Sequence, residues 1–232
     1  MAVGIIDEPG LAFLPDGLVG YWTFDEGIAT DWSGKGNNGI LVANPPLKNG
    51  VIGKALSFNG TSQYVDTGTR IAPASLSVFM WANLRSTATS VFAMQHIISV
   101  GCAWQFFQAG GAYYCRIHQG DTGAIFIGRT GGTVATDKWL HIGFTWLGGT
   151  STSGIKIYVN ALQIDTADSN AGAFTSGNTT TAIPFFIGAQ YYSSAAEYLC
   201  NGDFDDVCAY KRALLQSEIT LLYERGAAML RG

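Results

Sequence analysis

At 232 residues the chain has room for one large sandwich with a continuous core, and its length does not call for a second domain. Charged residues are only 13% of it, aromatics are 12% and glycines number 30, which suits many short strands and tight turns and argues against a charge-rich helical bundle. The net charge of −4, with no Lys/Arg cluster, speaks against a nucleic-acid partner, since phosphate binding needs a basic face. No apolar run approaches the roughly 18 residues of a membrane helix, so no membrane insertion is expected.

Residues 1–17 match no strand pattern. They carry Ile5, Ile6, Leu11, Phe13 and Leu14, so they read either as a disordered tail or, being apolar, as an N-terminal arm packed on a neighbouring subunit, and the remainder, 18–232, reads as one domain. Leu18 to Phe24 reads as the first strand, followed by the acidic, glycine-rich run Asp25 to Gly39. Lys54 to Asp66 reads as strand, Asn59-Gly60 turn, strand. Ser77 to Leu84 is apolar on both alternating faces, as a central covered strand would be. Gln95 to Cys102 and Ala112 to His118 are expected to flank a hairpin at Gly110-Gly111. Trp139 to Trp146 follows, then Ile155 to Asn160, where Ile155, Ile157 and Val159 alternate with wetter residues. Asp168 to Thr181 reads as a surface loop and Pro184 to Gly188 as a strand. After the last strand, near Phe204 to Tyr210, Ser217 to Arg225 shows helical spacing in Ile219, Leu222 and Tyr223. Ser217 is the candidate N-cap and Gly226 the C-terminal stop.

The opening Leu-Val-Gly-Tyr-Trp-Thr-Phe, the Asn-Gly-centred strand pair, the Trp-Leu-His-Ile strand and the closing Asp-Asp-Val-Cys-Ala-Tyr-Lys-Arg-Ala-Leu segment together resemble the laminin-G-like domain of the concanavalin A-like lectin/glucanase superfamily. The resemblance runs from about Leu18 to Gly226. It implies an all-β fold, a two-sheet antiparallel jelly-roll sandwich with a short C-terminal helix, in which first and last strands share a sheet. Leu215 stands where the family usually places a helix-capping Ser.

Catalysis has little to build on. The β-glucan-cleaving enzymes of this superfamily carry two glutamates on one strand, spaced for a retaining mechanism, whereas the five glutamates here never fall at that spacing. No serine elbow accompanies His96, His118 or His141, and His141 reads as a packing residue. Gly34-Lys-Gly-Asn-Asn-Gly39 matches a dinucleotide motif only formally, since no helix follows it. The four cysteines show no zinc spacing; Cys200 and Cys208 could face each other across a hairpin, as could Cys102 and Cys115, against the plainer reading of four reduced, buried thiols.

Two kinds of binding site remain. If the first and last strands pair, Asp25, Asp31 and Asp205 converge beside loop carbonyls as ligands for a hard cation, and the resemblance implies a structural calcium ion at this junction. The alternative is that Asp25 and Asp31 cap turns while Asp205 accepts a backbone hydrogen bond. Tyr191, Tyr192 and Trp104 offer ring faces for stacking on sugars. Without a recognisable signal peptide, the expected role is that of a non-catalytic structural or adhesive protein of a phage virion, made in the host cytoplasm. It would assemble with virion proteins or copies of itself and would touch host surface glycans. The alternative is an extracellular carbohydrate-binding module.

Overall fold

In a computed structural model of the chain, residues 16–71, 74–97, 101–120, 122–178, 184–192 and 195–231 are described. In chain order they form β1 (Leu18–Trp22), β2 (Ile40–Val42), β3 (Leu47–Asn49), β4 (Lys54–Asn59), β5 (Tyr64–Asp66) and β6 (Leu76–Leu84). Next come β7 (Ser90–Ile97), β8 (Gly101–Ala109), β9 (Ala112–Gln119), β10 (Ile125–Gly131), β11 (Trp139–Trp146) and β12 (Ile155–Val159). The chain closes with β13 (Leu162–Gln163), β14 (Asp165–Asp168), β15 (Phe186–Ile187), β16 (Gln190–Tyr192), β17 (Ala195–Glu197), β18 (Asn201–Tyr210) and α1 (Gln216–Leu230).

Two sheets stack face to face. The first runs β13-β12-β11-β6-β18-β4-β3, with β1 added alongside β18; the second runs β14-β10-β9-β8-β7-β15-β5-β2, with the β16–β17 hairpin joined to β7. Pairing is antiparallel throughout the described residues, apart from the bridge between Tyr191 and Ile97. Period-two alternation explains the layers. Inward residues of both sheets, among them Trp22, Phe58, Phe92, Trp104, Phe144 and Phe204, form one continuous core. The jelly-roll sandwich expected from the sequence is therefore the fold.

The centre of the first sheet is unusual. One side of β18 pairs with β6, while its other side pairs with β4 over residues 201–204 and with β1 over residues 207–210. The change of partner falls at Asp205 and Asp206, where the register slips and Asp206 takes a left-handed φ of 47°. Aspartate is one of the few residues that tolerates that region, and at the bulge Asp205 meets the turn before β4 while Asp206 meets Tyr21 of β1.

The outer face of the first sheet is covered by α1. Its Ile219 and Leu222 join Leu18, Tyr21, Phe79, Tyr158 and Tyr210, and its Ala227 packs near Val51 and Trp81. Burying each large side chain there contributes about 1.5–3 kcal/mol. Two expectations for this helix need correction. It starts at Gln216, so Ser217 lies inside it, and the first turn is closed by Glu218, whose Oε2 accepts a hydrogen bond from the Leu215 N–H at 2.8 Å. It also runs past Gly226 to Leu230; Gly226 is buried against the Trp81 indole, a site of close packing and not a stop.

Further differences concern β8 and the cysteines. The hairpin at Gly110-Gly111 is present, but the strand entering it is Gly101–Ala109, not the expected Gln95–Cys102. Cys200 and Cys208 lie along one strand and its approach instead of across a hairpin, and Cys115, Cys200 and Cys208 are free, buried thiols. The arm is named by residues 1–17; residues 1–15 lie outside the described residues.

Candidate functional site

Pairing of β1 with β18 brings some of the expected carboxylates together. Asp205 is fully buried, and its Oδ2 accepts hydrogen bonds from the Val51 and Ile52 N–H groups at 2.8 and 2.9 Å. Asp25 Oδ1 accepts from the Lys54 N–H at 2.6 Å, three residues further along the same turn. Two carboxylates thus clamp the Gly50–Lys54 turn, and its glycines are required by that closeness, because a Cβ on Gly50 or Gly53 would collide with Asp205 or Asp25. Beside them, Asp206 Oδ1 accepts from the Tyr21 hydroxyl at 2.5 Å, and Arg225 Nη1 donates to that same Tyr21 oxygen at 2.7 Å.

This cluster is electrostatically tense. Burial raises the Asp205 carboxyl well above the ordinary carboxylate range, and the neighbouring Asp206 and Asp25 charges add to the shift. Asp206 is also raised by burial, opposed by Arg225 and the Tyr21 hydrogen bond. Asp205 Oδ1 is buried with no hydrogen-bond partner among the described residues.

Asp31 lies elsewhere. Its Oδ1 accepts from the N–H groups of Tyr21 and Ser33, and its Oδ2 from the Ser33 hydroxyl and the Asn37 N–H, all at 2.8–3.0 Å. Four donors already fill it as a turn-capping residue. The expected trio of Asp25, Asp31 and Asp205 is therefore not one ligand set, and among the described residues no group of three or more His, Cys, Asp or Glu is placed to hold a metal ion. Of the three, only Asp25 and Asp205 share one turn, and there Asp205 keeps one unpartnered oxygen among the described residues.

The aromatic candidates separate. Trp104 is 2% exposed in the core between Phe144 and Phe185, and its indole N–H donates to Gln95 Oε1, so it has no free face for a sugar. Tyr191 is half-buried on the opposite, outer face of the second sheet, stacked on Phe186 at 5.3 Å and edge-on to Tyr64. Tyr192 belongs to β16, and its side chain lies outside the described residues.

That outer face holds more than the sequence reading singled out. Along β9, Tyr113, Cys115 and Ile117 enter the core, while Tyr114, Arg116 and His118 point the other way. Tyr114 stacks on Phe107 at 5.0 Å. The Arg116 guanidinium lies over the rings of Phe126 at 4.3 Å and Phe107 at 4.9 Å; burial lowers its pKa, and its Nε has no hydrogen-bond partner among the described residues. His118 Nε2 and Gln105 Oε1 are 3.2 Å apart, and Gln105 Nε2 reaches Gln190 Oε1 at 3.5 Å. The signal was present in the Ala112–Gln119 alternation, whose outward side is aromatic and polar at once.

His141 does what its strand suggested. It is buried, stacked on Phe79, and held neutral by that burial, which pushes its pKa down to about 3. Among the described residues no helix is long and apolar enough to cross a membrane.

Comparison with known proteins accords with the fold. No curated protein matches the sequence. Domain 4 of AbnA, a GH43 extracellular arabinanase from Geobacillus stearothermophilus solved with arabinotriose, superposes with a TM-score of 0.68 at 18% identity, covering 89% of this chain and 98% of that one. The binding domain of Paraclostridial Mosquitocidal Protein 1 gives 0.65 at 14% identity over 91% of this chain and 53% of that one. The binding domain of Botulinum Neurotoxin DC in complex with SialylT gives 0.65 at 13% over 92% and 52%, so this chain spans about half of each toxin domain. These likenesses are of fold alone. A family model matches residues 59–220, and the chain belongs to the concanavalin A-like lectin/glucanases superfamily.

Proposed function

We propose that the protein is a non-catalytic glycan-binding module whose ligand lies on the outer face of the second sheet, against Tyr64, Tyr191, Tyr114 and Arg116. The observation that carries this reading is the composition of that face. Half-buried rings present flat apolar surface to the C–H side of a sugar, and Arg116 adds a desolvated donor whose Nε is unsatisfied among the described residues. The first sheet buries its outer aromatics under α1, whereas Tyr64, Tyr114 and Tyr191 remain part-exposed. Support also comes from two neighbours of like fold, one solved with arabinotriose and one with SialylT.

A glycan-array screen followed by calorimetry tests this. Tyr191→Ala and Arg116→Gln should each weaken a bound oligosaccharide about tenfold or more while leaving the melting curve nearly unchanged, since stacking or one charge-assisted hydrogen bond is worth about 1–3 kcal/mol. An array without hits, or a hit whose affinity neither variant changes, would overturn the assignment of this face.

A further inference from the structure

At the seam between the two sheets, away from the aromatic face, β1 meets the segment that follows β5. A cavity of about 330 Å³ opens there, lined by Leu18, Val19, Lys35, Asn37, Arg70, Ile71 and Lys211. Its size falls at the lower end of small-ligand sites. Leu18 and Ile71 supply a buried apolar wall. Three cations surround it, in a chain whose net charge is −4, and none of the three makes an ion pair among the described residues.

Two of the three cations stand on anchored backbone. Lys35 rides the tip of the Gly34–Gly36 turn, whose flanks are tied to Asp31 through the Ser33 and Asn37 N–H groups, and its own N–H donates to the Ser33 hydroxyl. The Lys211 N–H donates to the Gly17 carbonyl at 2.8 Å. Asn37 is fixed as well, its amide donating to the Val19 carbonyl at 2.7 Å. A multiply charged anion in this hollow can draw on all three side chains, and the anchored backbone at Lys35 and Lys211 needs little reorganisation to receive it.

We propose that this cavity binds a compact oxyanion ester of monosaccharide size, with its phosphate or sulfate group held by Lys35, Arg70 and Lys211 and its carbon frame against Leu18 and Ile71. Lysine and arginine are the natural partners of tetrahedral oxyanions, and the apolar wall distinguishes the site from a bare ion trap. The glycine-rich loop thus serves an anion after all, through its lysine and the turn that presents it.

The test titrates the full chain with glucose 6-phosphate, glucose 6-sulfate and unmodified glucose, following amide shifts of Val19, Asn37 and Ile71. Saturable binding of the esters but not of glucose is expected, and the tighter ester identifies the source of the charge. Lys35→Gln, Arg70→Gln and Lys211→Gln should each weaken binding about tenfold, and the exposed Lys156→Gln should not. The three cavity cations are themselves exposed, so unchanged melting curves verify that the variants fold. Absence of saturable binding, equal binding of glucose, or an equal loss in Lys156→Gln overturns the proposal. Arg116→Gln should leave ester binding intact, which separates this site from the aromatic face.

Discussion

Replacing Gly226 by alanine sets two opposed effects against each other at one atom. In the middle of a helix, Gly→Ala gains about 1 kcal/mol from propensity alone. A Cβ on Gly226, however, would sit 2.5 Å from the Trp81 Cε2, Cζ2 and Nε1 atoms, where about 3.5–4.0 Å is comfortable. The indole cannot readily withdraw, because it is fully buried between the His141 ring at 5.2 Å and the Tyr223 ring at 5.8 Å. The helix must lift instead, at an overpacking cost near the upper end of about 1–3 kcal/mol. The net expectation is a loss of about 1–2 kcal/mol, or roughly 2–8 °C in Tm for a domain of this size. Thermal and urea melts read it directly. In a Trp81→Phe background, where the smaller ring makes room, the same Gly226→Ala change should cost little or even stabilise. A wild-type background in which Gly226→Ala raises Tm would refute the close seating of α1 on β6.

Other predictions follow from the site and the core. In excess chelator, stability should fall as pH rises from about 5 to about 8, because the folded state keeps a proton on raised Asp205 that the unfolded chain has already released. Asp205→Asn, which can keep both hydrogen bonds from the turn, should flatten that slope; an unchanged slope would mean Asp205 is not its source. A calcium ion at Asp25 and Asp205 should raise the Tm of chelated protein, and Asp25→Asn should abolish the rise. Superimposable curves with and without calcium would remove the cation, since a ligand specific to the native state must stabilise it. Trp104→Ala should cost about 3–5 kcal/mol as a core truncation, and glycan affinity measured well below its melting point should hold.

Legibility in the sequence followed the strength of the local pattern. Ile155–Val159 and Trp139–Trp146 were readable because alternation and flanking turns agree there, and pairing of first and last strands came from the family resemblance. Trp104 was misplaced because an aromatic residue in a strand looks the same whichever face it takes, and an irregularity in the β7–β8 pairing breaks the count. Gly226 was misread for a similar reason: a glycine that ends a helix and one that lets a helix approach an indole share the same letter. Proximity in the chain groups Asp31 with Asp25, whereas its oxygens are filled by donors from Tyr21, Ser33 and Asn37. Nothing local marks the bulge at Asp205 and Asp206, since it exists only because β18 exchanges β4 for β1.

The same exchange bears on how the protein emerges from a ribosome. β18 is contacted along one side by β6 and along the other by β4 and β1, so Tyr210 must meet Leu18 across nearly the whole intervening chain. During vectorial synthesis β1, β4 and β6 are exposed long before the strand that joins them is made, and their unpaired edges have no native neighbour to bond. Completion of the first sheet is thus a late event, set by translation and by the entropy of a long closure, and the nascent chain before that moment is the form most in need of a chaperone.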